Sequence, residues 1–188
     1  MNKTIAVLAS LAVMGTAAEC MAAAVVNLNN YDSNIPVMYQ SAVGAAIVTA
    51  PDTGVYVQLL GGAVGGTLAP VTIGAGTDSI ITGFDGGGFF DKGSGVIPGL
   101  ADKAQADFQL LAWSGATTFA AAPLTFTSEK WTQATGGWNP AAQPPQPADS
   151  VALNIPSKGI LVGPAVPEPS TIALGLLGAA ALLIRRRK

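Results

Sequence analysis

The chain has no histidine and a single cysteine, Cys20, among its 188 residues. Without histidine, the Ser-His-Asp and Cys-His arrangements of nucleophilic catalysis are excluded, and so are ordinary imidazole-based zinc and copper sites. Charge is scarce as well. Charged residues make up 11% of the chain, against about a quarter in a typical soluble domain. Between Val25 and Pro167 there is no arginine. Nine acidic residues (Asp32, Asp52, Asp78, Asp85, Asp91, Asp102, Asp107, Glu129 and Asp149) face four lysines there (Lys92, Lys103, Lys130 and Lys158), a net charge near −5. No basic stripe is present to meet phosphates, so nucleic-acid binding is disfavoured.

Long apolar runs are confined to the two ends. The start, "MNKTIAVLASLAVMGTAAECMAAAVV", has Lys3, an apolar stretch from Ile5 to Ala18, and small residues at Ala22 and Ala24. That order is the order of a secretory signal peptide, with cleavage expected after Ala24 and export through the general secretion machinery. Glu19 stands immediately before Cys20, where a lipoprotein signal carries a small residue, so lipidation is not expected. Cys20 then leaves with the signal. The mature chain has no thiol, and its stability has to come from packing and backbone pairing rather than disulfides.

The other apolar run lies at the C-terminus. Ile172–Ile184 is thirteen residues, roughly 20 Å as a helix, whereas a bilayer core is about 30 Å thick and asks for around 20 apolar residues. Arg185, Arg186, Arg187 and Lys188 follow it and act as a cytoplasmic stop by the positive-inside bias. Pro167 and Pro169 precede it and hold the adjoining residues extended and accessible. A stiff accessible peptide, a weak span and a positive stop describe a segment built to be recognised and removed.

Val166, Pro167, Glu168, Pro169 and Ser170, followed by the short span and the arginine cluster, resemble the PEP-CTERM sorting tail of Gram-negative bacteria. The resemblance implies recognition by exosortase, a membrane-embedded transpeptidase or protease. It also implies transient insertion in the inner membrane, then delivery to the cell surface or extracellular matrix. Proteins with this tail are associated with exopolysaccharide and biofilm.

Between the two ends the chain reads as short apolar or alternating runs punctuated by Gly, Pro, Asn and Asp: "VVNLN", "VMYQ", "AAIVTA", "GVYVQLLGG", "GTLAPVTIG", "DSIITGF", "ADFQLLAWSG", "SEKWTQAT" and "SVALNIP". Each is a candidate strand. In "ADFQLLAW", Phe108, Leu110 and Ala112 share one face and Gln109, Leu111 and Trp113 the other, which predicts a strand covered on both sides or a core strand near an end of a sheet. The expected fold is all-β, an antiparallel, jelly-roll-like β-sandwich over 25–163. It is flanked by a signal helix at 1–24 and a transmembrane sorting helix within 164–188. The proline-rich stretch "GGWNPAAQPPQPAD", from Gly136 to Asp149, reads as one long loop.

Three groups of residues are candidates for chemistry. In "IGAGTDSIITGFDGGGFFDKGSG", Gly74, Gly76, Asp78 and Ile80 fit most of a calcium-roll unit, but Ile73 occupies its first glycine position. One imperfect copy does not make a roll, which leaves a single calcium loop from Asp78, Asp85 and Asp91 or plain turn chemistry. Trp131 and Trp138 bracket polar residues and present flat faces for stacking on sugars if exposed; packing against the core is the other reading of Trp131. Glu129 is the only glutamate between the signal and the tail, and no pair of carboxylates is placed for a hydrolase. No cofactor and no enzymatic activity are expected. The functional expectation is a structural or adhesive surface protein, with a lectin-like polysaccharide-binding module as the alternative and an aspartate-dependent hydrolase as a distant one.

Overall fold

A computed structural model describes residues 23–74, 76–139, 146–147, 151–156 and 159–164. The signal segment, the sorting tail and the two terminal helices expected there lie outside the described residues. Within them, fourteen strands and one 3-10 turn, Phe119–Ala121, follow one another: β1 Ala23–Asn29, β2 Val37–Tyr39, β3 Val48–Thr49, β4 Val55–Ala63, β5 Ala69–Pro70, β6 Thr72–Ile73, β7 Asp91–Ala101, β8 Gln105–Ser114, β9 Leu124–Thr127, β10 Trp131–Ala134, β11 Gly136–Asn139, β12 Gln146–Pro147, β13 Val151–Ala152 and β14 Ile160–Val162.

They form three sheets. The first runs β12-β11-β1-β7-β6, with β13 also beside β1; the second runs β10-β8-β4-β5, with β9 beside β8; the third is β14-β2-β3. The pairings are antiparallel except β1 with β13 and β2 with β14, which are parallel. The protein is therefore all-β, built mostly from antiparallel sheets.

Alternation places the core. In β4, Val55, Val57 and Leu59 are buried, and in β8 so are Ala106, Phe108, Leu110 and Ala112. Register sets these side chains against one another, with Val57 opposite Ala112 and Leu59 opposite Leu110. Ala24, Val26 and Leu28 of β1 and Ile97 of β7 belong to the same cluster, as do Val37, Ile160 and Val162 of the third sheet. The second face of β8 is covered fully only at Trp113: Gln105 is exposed and Asp107, Gln109 and Leu111 are half-buried. Trp113 is buried, stacks on Tyr56 at 5.6 Å and meets Phe119 edge-on at 5.9 Å. Its indole N–H donates to the carbonyl of Ala116 at 3.2 Å, so the loop after β8 folds back over it.

The flanks of the two larger sheets are bridged. One short segment carries β5 in the second sheet and β6 in the first, and the wholly buried Val71 sits between them. On the other flank, Gln133 of β10 donates to the Ala152 carbonyl at 3.0 Å and accepts the Asn154 N–H at 2.9 Å. A side-chain amide thus stands in for a strand's donor and acceptor and ties β10 to the chain around β13.

Several strands depart from the sequence reading. The longest, β7, has three internal glycines and Pro98, a composition that reads as loop. Pro98 is tolerated because the β1–β7 register slips between Ile97 and Ala101, which leaves its missing N–H outside the ladder. Gly95 is required by close approach: a Cβ there would lie 2.7 Å from Leu28 and Val71 side-chain atoms. "GGWNPAAQPPQPAD" is not a single loop. Gly136–Asn139 pairs with β1, and Trp138 and Asn139 lie opposite Pro147 and Gln146. In contrast, "DSIITGF" forms no strand, only a bridge between Ile81 and Val57. β1 begins two residues before the expected mature start. Ala24 is fully buried opposite Ile97 and Gly137, so cleavage after Ala24 would remove the first two residues of the strand.

Candidate functional site

Asp78, Asp85 and Asp91 do not converge on an ion. Among the described residues, no group of three or more acidic, cysteine or histidine side chains could hold a metal. Asp85 accepts the Asp91 N–H at 3.1 Å, and Asp91 accepts the Gly93 N–H at 2.9 Å. Both carboxylates cap turns. Asp78 belongs to a different turn, where its carbonyl accepts the Ile73 N–H at 2.6 Å. Ile81 and Phe84, both buried, carry the chain through the core between the two turns, and that separation is why the calcium loop is not assembled.

The glycine run after Asp85 serves the backbone instead. Gly88 has φ +79°, and a Cβ there would collide with the Val37 carbonyl, so no other residue fits. The close approach lets the Val37 N–H donate to the Gly88 carbonyl at 2.8 Å. Asn30, wholly buried, locks the same corner. Its amide donates to the carbonyls of Ile35 at 2.8 Å and Gly88 at 3.0 Å, and its Oδ1 accepts the Phe90 N–H at 2.7 Å.

The two candidate tryptophans differ. Trp131 is half-buried and stacks on the core residue Phe108 at 5.7 Å. Its indole N–H donates to Gln133 at 3.0 Å. One ring face is therefore taken by the core. Trp138 lies in β11, and its side chain is outside the described residues. The pair that sequence reading missed is Tyr31 and Phe89, stacked at 4.9 Å with 17° between their planes. Tyr31 is 46% exposed and lies between Asn30 and Asp32 in a polar turn. Its only sequence signal is an aromatic residue among turn formers, which does not reveal that a second ring supports it.

Asp107 is held electrostatically. The Thr132 hydroxyl and then the Gly65 N–H at 2.8 Å keep its carboxyl below the usual range, against a smaller opposing effect of burial, with the Lys130 ammonium the least of the four. These bonds join the β4–β5 turn to β10 across β8, a structural use. A cavity of about 200 Å³ is lined by Phe126, Thr127, Ser128, Glu129, Ile155, Pro156 and Gly159. It is smaller than the roughly 300–1,000 Å³ of small-molecule sites.

The C-terminal segment is delivered by β14. Ile160 and Val162 are fully buried, and the Thr125 N–H donates to the Gly163 carbonyl at 3.2 Å. The body is thus tied down to within a few residues of Val166. The motif Val166, Pro167, Glu168, Pro169 and Ser170, the span and Arg185, Arg186, Arg187 and Lys188 lie beyond the described residues. No helix among the described residues is long and apolar enough to cross a membrane. No curated protein and no solved structure matches the chain. Residues 165–188 match the family model of the PEP-CTERM protein-sorting motif. The chain is accordingly a PEP-CTERM domain-containing protein, exported, transiently anchored in the membrane and sorted by exosortase.

Proposed function

We propose that this protein is a structural or adhesive component of the cell surface or extracellular matrix, working alongside exopolysaccharide and without enzymatic activity. Its body is an antiparallel β-sandwich, with the two larger sheets as its layers. The observation that carries the reading is the sorting tail joined to a β body whose polar side chains serve structure. Asn30, Asp85, Asp91, Asp107 and Gln133 each hold a turn or a strand edge. The aspartate-hydrolase alternative draws no support from that arrangement.

The second reading, a polysaccharide-binding module, is favoured by the exposed Tyr31 ring stacked on Phe89. A supported aromatic face suits the apolar C–H face of a sugar ring, and Asp32 beside it supplies hydrogen-bond acceptors. One experiment tests both: retention of the purified processed protein on the organism's own exopolysaccharide, with Tyr31→Ala, Trp131→Ala and Trp138→Ala beside it. Loss in Tyr31→Ala selects the binding module and this ring. Equal, negligible retention in all four proteins discards it and leaves protein-mediated adhesion. The mass of the mature C-terminus tests the sorting itself. A population from the envelope still ending at Lys188, indifferent to alanines at Pro167, Glu168 and Pro169, would overturn it.

A further inference from the structure

Strands β2 and β14 are parallel, with Val37, Met38 and Tyr39 level with Ile160, Leu161 and Val162. Parallel partners end at the same side of a sheet, so the chains leaving these two strands emerge together. Gln40 fixes them to each other. Its N–H donates to the Val162 carbonyl at 2.9 Å, and its Cβ lies 3.4 Å from where a Cβ on Gly163 would be. What leaves β14 is the sorting tail. What leaves β2 is the loop 41–47, which returns as β3.

That loop has an unusual composition for an exposed segment. No residue from Ser33 to Pro51 is charged. Val43 is 79% exposed, Ile47 53% and Val48 50%. The loop also pairs part of its own backbone: the Ala45 N–H donates to the Ala42 carbonyl at 3.0 Å, and the Gln40 side-chain amide donates to the Ala45 carbonyl at 2.9 Å. Internal pairing lowers the penalty of taking backbone out of water.

We propose that the β2–β3 loop, through Val43 and Ile47 together with Val48 at the start of β3, inserts into the lipid interface of the membrane that holds the sorting tail, and so seats the body on the bilayer before release. The proposal rests on the transient anchoring described above. Gly163 and the start of the apolar run at Ile172 are nine residues apart, at most about 30 Å of extended chain. The tether therefore confines the loop to the membrane surface, and confinement makes a contact of a few apolar side chains intramolecular and effective despite its small area. Before processing, such seating keeps the peptide around Glu168 at a fixed height above the membrane.

A control surface exists on the same molecule. Val64, in the β4–β5 turn, is 57% exposed, but its strand neighbour Ala63 pairs with Ala106, while Gly163 bridges to Thr125 opposite Trp113, at the other end of β8. The test uses the exported chain with its tail intact, reconstituted in vesicles of phosphatidylethanolamine and phosphatidylglycerol. An environment-sensitive fluorophore is placed in turn on Val43→Cys, Ile47→Cys and Val64→Cys. Emission at positions 43 and 47 is expected to shift to the blue and to be quenched by headgroup-proximal spin-labelled lipid, with position 64 unchanged. Val43→Asp with Ile47→Asp, read from a label on Ala46→Cys, should lose the effect at unaltered melting temperature. Vesicle flotation reads the anchoring separately. A chain that floats while position 43 behaves like position 64 overturns the loop contact alone. A shift that depends on protein density but not on lipid quencher identifies a second copy as the occupant and overturns it as well. A chain that does not float removes the anchoring on which the proposal stands.

Discussion

Replacing Asn30 by alanine removes a buried amide that holds three backbone groups at one corner of the fold. The three losses are unequal. The Gly88 carbonyl keeps the Val37 N–H as a donor, so it remains satisfied. The Ile35 carbonyl loses a bond of ordinary net value, about 1 kcal/mol. The Phe90 N–H, beside a fully buried side chain, is left without its acceptor, and an orphaned buried donor costs about 1–3 kcal/mol. The expected loss is therefore about 3 kcal/mol, a large share of the roughly 5–15 kcal/mol that holds a domain together. In a body of this size it corresponds to a fall of about 10 °C in the melting midpoint. Urea unfolding followed by tryptophan fluorescence measures it, with an unchanged slope showing that the unfolded state is the same. Asn30→Asp supplies an internal check. Its carboxylate would face two carbonyl oxygens, so its folded pKa is raised above the unfolded value of about 4. A raised pKa gives stability that is present below the unfolded value and lost as pH rises through the folded one. The deficit relative to wild type at the same pH should thus be larger at neutral pH than in mild acid. A loss of less than about 1 kcal/mol in Asn30→Ala, or an Asn30→Asp deficit independent of pH, would refute the account of this corner.

Gly95→Ala forces a methyl to within 2.7 Å of Leu28 and Val71 atoms and should destabilise by about 1–3 kcal/mol through overpacking, read by the same urea titration; a neutral result would show that the Leu28 and Val71 side chains can give way. Asp107→Asn tests the depressed carboxyl. The Asp107 contribution is present above the unfolded pKa of about 4 and is lost as pH falls through the lower folded value. The stability difference between wild type and variant should therefore shrink on acidification, and a constant difference would contradict the bonds from Thr132 and Gly65. Gln133→Ala should raise amide exchange around Ala152–Asn154 while leaving the β4–β8 ladder protected, because its side chain bonds both the Ala152 carbonyl and the Asn154 N–H. Protection unchanged at Asn154 would show that other contacts hold the segment.

Strands with period-two alternation were legible in the sequence because burial on one face leaves its mark on every second residue. β4 and β8 are of that kind, whereas β1 buries Ala24, Val25 and Val26 in succession. β7 was not legible. Gly95 is selected by side chains that approach from other elements, Leu28 and Val71, and nothing local announces such a neighbour. The same holds for the aspartates. Asp78, Asp85 and Asp91 are close in the chain, but buried Ile81 and Phe84 lead the backbone between two separate turns. The Tyr31–Phe89 stack joins residues far apart in sequence, and only chain folding brings them together.

What the sequence determined by itself is the address and the class. The sorting motif is matched as a linear run of residues, 165–188, so residue order along the chain is sufficient information. The all-β class likewise follows from periodicity, a local property. What only the tertiary structure decided is where the surfaces are: which ring is exposed, which carboxylates are occupied, and which loop emerges beside the tail. Those depend on pairings between distant segments, above all β2 with β14. Hydrogen bonds between strands over a hundred residues apart carry no pattern within either strand alone.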